Sequence, residues 1–171
     1  MTTLARFVTR AVLAAGVIAL ATPAFARSDA AFMKQAAQNG AAEIEASKLA
    51  QQKAKRPDVK AFADAMVNDH TKVDGELKQL AASKKVELPT GPSLKQKGEL
   101  KMIDAGDADK FDQRYTKAFG VKAHEDTIKL FEEAAAKATD PEVKAFAQKT
   151  LPSLKHHLEM ARALDTAAPS K

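Results

Sequence analysis

The chain contains no cysteine, no tryptophan and a single tyrosine, and aromatic residues make up only 5% of it. Without cysteine neither a disulfide framework nor thiol chemistry is possible, so a packed core must provide the stability of the fold. The scarcity of aromatic side chains leaves little surface on which bases or sugars could stack. A glycine-rich phosphate loop, an HExxH motif and a serine–histidine–acid order are also missing. These absences argue against a hydrolase or nucleotide enzyme, and no catalytic residue is predicted.

An excess of charge of one sign is also missing. The 27 lysine and arginine residues face 22 aspartate and glutamate residues, which gives a formal net charge of only +5. Lysine and glutamate alternate along the chain instead of forming basic clusters, and such alternation is typical of solvated helix faces. Because nucleic-acid-binding proteins carry clustered basic surfaces, we predict no nucleic-acid partner.

Long hydrophobic runs are absent, and a shorter one lies near the start of the chain. Residues Ala11–Thr22 are small and aliphatic, but a run of about 12 residues is too short to span a bilayer core of about 30 Å. Arg6 and Arg10 precede the run, and Ala24-Phe25-Ala26 follows it with the small-x-small pattern of a cleavage site. We therefore predict a cleavable signal peptide at residues 1–26, export to the periplasm, and no membrane span.

An internal repeat organises the rest of the sequence. The segment 57–63 (PDVKAFA) recurs at 141–147 (PEVKAFA) with one conservative acidic exchange. A near-identical repeat is typical of a duplicated supersecondary unit. We predict two similar helical hairpins in one domain, residues 27–165, followed by a short disordered tail at 166–171.

The spacing of apolar residues defines four long helices. Apolar residues recur three and four positions apart, which is typical of amphipathic helices. Asp140 and Pro141 provide a cap and a first-turn proline for the last of them. The four helices are predicted at about 28–54, at about 57–85, from Asp107 past Ala135, and from Pro141 past Leu164.

The connection between the second and third predicted helices is unusually long, at about 20 residues, whereas the other two connections are short. It contains a turn-rich stretch at 87–92, and Ser93-Leu94-Lys95-Gln96 then reads as a capping box that opens a short extra helix. A long crossover between two hairpins predicts a ferritin-like four-helix bundle. If the extra helix instead packs on one end, a simple up-down bundle results, and the sequence leaves both possibilities open.

Three short sequence motifs also resemble those of a known family. They are NDHTK at 68–72, PDVKAFA at 57–63, and TLPSL at 150–154 followed by His157-Leu158. In combination they resemble the family called domain of unknown function 4142, over roughly residues 29–164. The resemblance implies a ferritin-like, bacterial and largely exported protein, and it implies no particular chemistry.

Three of the four histidines are in register with the apolar faces of their helices. These are His70, His124 and His157, whereas His156 lies one residue off the apolar stripe and is predicted at the surface. On the first helix the inward-facing acid is Glu43. Each inward group lies about 12 to 17 residues from its hairpin turn, which corresponds to about 18 to 26 Å along a helix. All four therefore lie near the middle of the bundle, even if the two turns lie at opposite ends.

Three neutral imidazoles and one carboxylate suit a borderline divalent ion such as zinc, copper or iron. We therefore predict a transition-metal site formed by Glu43, His70, His124 and His157. It is not predicted to be a di-iron carboxylate centre, because that centre requires Glu-x-x-His, and here Val67 and Leu154 occupy the glutamate positions.

A second interpretation treats each histidine as a core residue that is hydrogen-bonded to a polar neighbour such as Glu43, Asp69 or Thr150. The choice between the two decides the predicted function. With a metal site, the protein is an exported bundle for metal storage, buffering, or redox and stress protection, and no enzymatic activity is assigned to it. Without one, it is a non-catalytic interaction module of the cell envelope, whose lysine-rich faces meet anionic polymers or a protein partner.

Overall fold

The computed structural model describes residues 24–166 of the chain, and their side chains from Asp29 onward. This part consists of helices joined by turns and contains no strand, so the all-helical prediction is confirmed. None of its helices is both long enough and apolar enough to cross a membrane. The elements in chain order are α1 (Ala24–Lys53), α2 (Pro57–Ser83), α3 (Leu94–Ala105), a 3₁₀ turn (Ala108–Lys110), α4 (Phe111–Tyr115), a π-helical turn (Thr116–Lys122), α5 (Ala123–Lys137) and α6 (Pro141–Thr166).

Two predictions concern the ends of the chain. Most of the predicted signal peptide, residues 1–23, lies outside the described residues, and the cleavage pattern at 24–26 falls in the first turn of α1. Of the predicted tail, Thr166 ends α6 and residues 167–171 lie outside the described part. Both segments therefore stay predictions.

Two helix starts follow the predicted capping chemistry. Oδ1 of Asp140 accepts hydrogen bonds from the backbone N–H groups of Glu142 at 2.9 Å and Val143 at 3.2 Å, which caps α6. At α3 the capping box is complete, because Ser93 Oγ accepts from the Gln96 N–H and Gln96 Oε1 accepts from the Ser93 N–H. Local sequence is therefore sufficient to start both helices.

The predicted third helix is continuous but not uniform. Asp107 caps its first turn by accepting from the Asp109 N–H, in agreement with the prediction. The α4 segment, the π-helical turn and α5 then follow without a break, because Thr116 and Ala123 at the junctions have helical dihedral angles. In the π-helical turn the Ala123 N–H donates to the Ala118 carbonyl, five residues back. A π-helical turn accommodates one more residue per turn than the α-helix around it.

The two hairpin turns lie at opposite ends of the bundle. The turn between α1 and α2 lies beside α4, where the backbone N–H of Arg56 donates to Oδ2 of Asp112 at 2.8 Å. The turn between α5 and α6 lies beside the first part of α1, where Asp29 accepts hydrogen bonds from Thr139 and Asp140. As a result α2 and α5 run in the same direction.

A polar layer divides the core. The apolar core residues form two clusters, one toward each hairpin turn. Along α2, for example, Met66 belongs to one cluster and Leu77 to the other, with His70 between them. The buried residues between the clusters are polar: Glu43, His70, His124 and His157. Buried polar groups contribute less to stability than apolar ones, so the presence of this layer is not explained by the stability of the fold.

Asp29 fastens α1 to the turn between α5 and α6. Its carboxylate is 6% exposed and accepts hydrogen bonds from the Thr139 N–H, the Thr139 hydroxyl and the Asp140 N–H at 2.8 to 3.3 Å. We expect Asp29→Ala to lower the free energy of unfolding by about 2 kcal/mol, because several charge-assisted bonds are lost together. Urea denaturation would measure the loss. Asp64→Ala is the control, since Asp64 is exposed and accepts one bond from Gln51. Equal losses in the two variants would contradict the prediction.

Candidate metal centre

Three histidines from three helices meet in the polar layer. His70 lies on α2, His124 in the first turn of α5 and His157 on α6, and their exposed fractions are 4%, 0% and 3%. One ring nitrogen of each lies within 4.8 Å of a ring nitrogen of both others. The ring centroids form a nearly equilateral triangle with sides of 5.3 to 5.6 Å. The fold thus brings together side chains that are far apart in the sequence.

The spacing of these nitrogens is close to that of a three-histidine metal site. Nitrogens bound to one ion at 2.0 to 2.1 Å in tetrahedral geometry lie about 3.4 Å from one another. The observed limit of 4.8 Å exceeds this value by only a little more than 1 Å. Binding of one ion would therefore require the three nitrogens to move toward one another.

The π-helical turn determines the orientation of His124. Because the Ala123 N–H donates to Ala118, that hydrogen bond bypasses the Phe119 carbonyl. Nδ1 of His124 lies 2.9 Å from this carbonyl oxygen and, since a carbonyl can only accept, Nδ1 must carry the proton. The other nitrogen, Nε2, then has a lone pair. A backbone carbonyl that holds the rear nitrogen of a histidine is a common support for metal ligands.

A close approach of the π-helical turn to α6 brings His124 next to His157. Gly120 makes this approach possible, because a Cβ at that position would lie 2.8 Å from Cβ of Ala161. Two Cβ atoms cannot come so close without a shift of the backbone. Gly120 therefore contributes to the site through helix packing.

His157 is held by a carboxylate. Its Nε2 lies 3.1 Å from Oδ2 of Asp69, which is half-buried on α2. The carboxylate accepts the hydrogen bond, so Nε2 carries the proton and Nδ1 has the lone pair. The same carboxylate also pairs with Lys72 at 3.6 Å.

His70 contacts the predicted acid. Its Nδ1 lies 3.0 Å from Oε2 of Glu43, which is 1% exposed. This contact is not aligned as a hydrogen bond, because Oε2 is without a hydrogen-bond partner among the described residues. The second oxygen, Oε1, accepts a hydrogen bond from the Thr127 hydroxyl at 3.3 Å and lies 3.9 Å from Nδ1 of His124. Glu43 thus lies behind two of the three rings.

Each histidine leaves one nitrogen without a partner. Nε2 of His70, Nε2 of His124 and Nδ1 of His157 are buried and have no hydrogen bond to any described residue. The opposite nitrogen of each ring contacts Glu43, the Phe119 carbonyl or Asp69. The interpretation of the histidines as satisfied core residues therefore accounts for one nitrogen of each ring and not for the other.

Burial also controls the charge of the site. It raises the pKa of Glu43 to about 8, and the hydrogen bond from Thr127 opposes only part of this rise. Burial lowers the pKa of His124 to about 4 and that of His70 well below 6.5, and the neighbouring imidazoles lower the pKa of His70 further. The pKa of His157 is lowered by burial as well, although Asp69 opposes the shift. At neutral pH the three imidazoles are therefore neutral, which is the form that binds metal ions.

The predicted residues take different places in this arrangement. The three histidines form the group whose potential ligand atoms are mutually close, and Glu43 is not a member of that group. Instead its carboxylate lies against the rear of His70. His156 is exposed, as predicted. The only buried acids among residues 29–166 are Asp29 and Glu43, so the layer lacks the carboxylates of a di-iron centre.

Sequence reasoning did not find three supporting groups. The sequence indicates Asp69 only as a hydrogen-bond partner of a core histidine, and it does not indicate the roles of the Phe119 carbonyl and the Thr127 hydroxyl. Buried Gly120 lies four residues before His124, as in an α-helix, so the spacing of these residues gives no signal for the π-helical turn.

Comparison with known proteins gives one match. A family model described as "Domain of unknown function (DUF4142)" matches residues 17–164, which is most of the chain. No curated protein and no solved structure matches the chain. The family resemblance seen in the sequence motifs is therefore confirmed, and the chemistry has to be inferred from the site itself.

Proposed function

The chain belongs to the DUF4142 family, and we propose that it is a periplasmic, ferritin-like helical bundle that binds one transition-metal ion at the middle of the bundle. Three imidazole nitrogens are the ligands: Nε2 of His70, Nε2 of His124 and Nδ1 of His157. Glu43 and Asp69 support the rings from behind. The role of the bound metal is storage, buffering, or protection against redox and other stress.

Two observations carry this proposal: each of the three buried histidines has one ring nitrogen without a hydrogen bond among the described residues, and one ring nitrogen of each lies within 4.8 Å of the others. A buried polar atom without a partner costs about 1 to 3 kcal/mol. Three such atoms at one point weaken the fold, and a metal ion would satisfy all of them at once. The rear contacts to Glu43, the Phe119 carbonyl and Asp69 match the outer contacts that orient histidine ligands in metal sites.

The donor set favours a borderline ion such as zinc, copper or iron over magnesium or calcium, which prefer oxygen. Three protein ligands leave a fourth position for water or a small molecule, as in sites that exchange ligands. We assign Glu43 a supporting role, because its carboxylate contacts Nδ1 of His70 on the side of the ring away from the unpartnered nitrogen.

The wider assignment has separate support. The repeated hairpins and the two turns at opposite ends agree with a ferritin-like path, in which one long crossover joins the second and third long helices. The basic start, the short apolar run and the cleavage pattern at 24–26 support export. The alternative, an envelope interaction module without metal, stays a prediction for which no contact in the described residues gives specific support.

The test is the metal content of untagged protein purified from the periplasm, followed by titration of the metal-free protein with Zn²⁺ and Co²⁺. We expect one ion per chain, with the strong visible absorption of tetrahedral Co²⁺ bound to nitrogen ligands. Replacing His70 and His157 together by alanine should abolish binding, because two of three ligands are lost.

The matched control is His156→Ala, since His156 precedes His157 and is exposed. This variant should bind metal as the wild type does. The proposal fails if purified protein lacks stoichiometric metal and takes up none on titration, or if the variant without His70 and His157 still binds.

A further inference from the structure

A polar groove reaches the rear of the proposed metal site from one side of the bundle. Its volume is about 540 Å³, and it lies between α1, the first turn of α3, and the helix formed by the π-helical turn and α5. Most of its lining residues are polar, and they include the side-chain amides of Gln35, Gln38, Asn39 and Gln96. Lys122 and Asp126 form an ion pair of 2.8 Å at its wall. At its inner end the groove reaches Glu43 and Thr127.

A second, much smaller crevice, about as open to solvent as the groove, lies on the other side of the same two residues and also has Asp74 in its wall. It has a volume of about 20 Å³ and is lined by His70, Gly40 and Thr150, together with Glu43 and Thr127. Glu43 and Thr127 are the only residues common to the walls of both spaces. A cavity of this size holds about one water molecule or one small ion. The pair therefore separates the outer groove from a space that touches the site.

A chain of polar groups connects the two spaces. Nε2 of Gln96 donates to Oδ1 of Asn39 at 2.9 Å, and Nδ2 of Asn39 donates to Oγ1 of Thr127 at 3.1 Å. The Thr127 hydroxyl donates to Glu43, and the free Oε2 of Glu43 lies 3.0 Å from His70. Amide, hydroxyl and carboxylate oxygens of this kind can replace the water molecules that a cation loses when it leaves solvent.

Another path by which a cation could approach the histidines would follow the seam between α2 and α6. Asp69 is half-buried in the seam between α2 and α6 and contacts the rear of His157. In the same seam Lys149 of α6 pairs with Glu76 of α2 at 2.8 Å. No cavity among those described at residues 29–166 has Asp69 in its wall, whereas the groove leads inward to a buried acid with a free oxygen.

We propose that a divalent cation reaches the three-histidine site through this groove, past Asn39, Thr127 and Glu43. The inference rests on the proposed metal binding and adds the route and the residues that form it. Glu43 thereby receives a second role, since its carboxyl oxygen Oε2, which has no hydrogen bond among the described residues, is the last protein oxygen before His70. The positive charge of Lys122 at the wall of the groove then opposes the approach of the cation, and Asp126 favours it.

The test compares two charge reversals that alter the net charge equally. Lys122→Glu frees Asp126 in the groove, and Lys149→Glu frees Glu76 in the seam between α2 and α6. The rate of Co²⁺ uptake by the metal-free protein is followed by stopped-flow absorbance at low ionic strength. We expect Lys122→Glu to raise the association rate constant by about three- to tenfold, because charge at the mouth of a cleft concentrates the cation. Lys149→Glu should leave it nearly unchanged, and high salt should remove the difference.

Equilibrium titration of the same samples with Co²⁺ separates this inference from the proposed function. If the wild type binds no metal at equilibrium, both fail. If it binds one ion and Lys149→Glu accelerates uptake as much as Lys122→Glu or more, only the groove route is overturned. The same holds if neither variant changes the rate.

Discussion

Saturating zinc is expected to raise the free energy of unfolding of the metal-free protein by about 4 kcal/mol when free zinc exceeds its Kd by 1,000-fold. The physical reason is that the three ligands belong to three different helices, so the unfolded chain cannot offer them together. An ion that binds only the folded state stabilises it in proportion to the logarithm of its concentration. Chemical denaturation with and without chelator would measure the increment.

His157→Leu separates this effect from packing. The substitution keeps an apolar side chain of similar size and removes the unpartnered Nδ1, whose burial costs about 1 to 3 kcal/mol. Asp69 loses its ring partner but stays half-exposed and can be hydrated. We therefore expect the metal-free variant to be as stable as the wild type or more stable, and the zinc increment to disappear. A persistent increment in this variant, or its absence in the wild type, would contradict the proposed site.

The second large effect is a pH optimum in the stability of the metal-free protein. Glu43 has a pKa of about 8 in the folded state against 4.5 for an ordinary glutamate. Between these values the folded state keeps a proton that the unfolded state releases, so stability falls as pH rises through about 8. The contribution of Glu43 to the fall from pH 6.5 to 8 is about 2 kcal/mol, and the histidines of the unfolded state, which are half protonated at pH 6.5, offset part of it below about pH 7.5.

The histidines change the free energy of unfolding with pH in the opposite direction to Glu43. The pKa values of His70, His124 and His157 are lowered in the folded state, so below pH 6.5 the unfolded state takes up protons that the folded state does not. Stability is therefore lost as pH falls. Between about pH 4.5 and 6 His70 and His124 alone outweigh the contribution of Glu43, because the unfolded state takes up two protons for the one that it releases. The free energy of unfolding should thus be greatest near pH 6.5.

Glu43→Gln tests the alkaline side of this profile. The amide keeps an acceptor oxygen for the Thr127 hydroxyl but does not ionise in this pH range. Stability should therefore no longer fall between pH 6.5 and 8. Urea denaturation in chelator at several pH values would measure it. Glu45→Gln on the same helix is the control, because Glu45 is exposed, and its profile should match that of the wild type. If Glu43→Gln shows the same fall as the wild type, the buried acid is not its cause.

Much of the site could be predicted because helical periodicity relates sequence position to direction around the helix axis and to height along it. His70, His124 and His157 lie in register with apolar residues and at a similar distance from their turns, so they share an interior layer. Periodicity cannot determine which way a side chain leans within that layer. For this reason the sequence predicts Glu43 as a ligand without specifying which ring nitrogen it faces, and only the structure shows that its Oε2 lies 3.0 Å from Nδ1 of His70.

The sequence by itself determined the cysteine-free helical composition, the repeated hairpins, the caps at Asp140 and Ser93, and the inward faces of the three histidines. These are local properties, governed by residues within a turn or two of one another. Only the tertiary structure decided that Asp69 contacts His157 and that a groove reaches Glu43. It also decided that the Phe119 carbonyl of the π-helical segment faces His124. Each of these depends on the rotation and spacing of separate helices, where a shift of about 1 Å or one added residue changes the partner of a side chain.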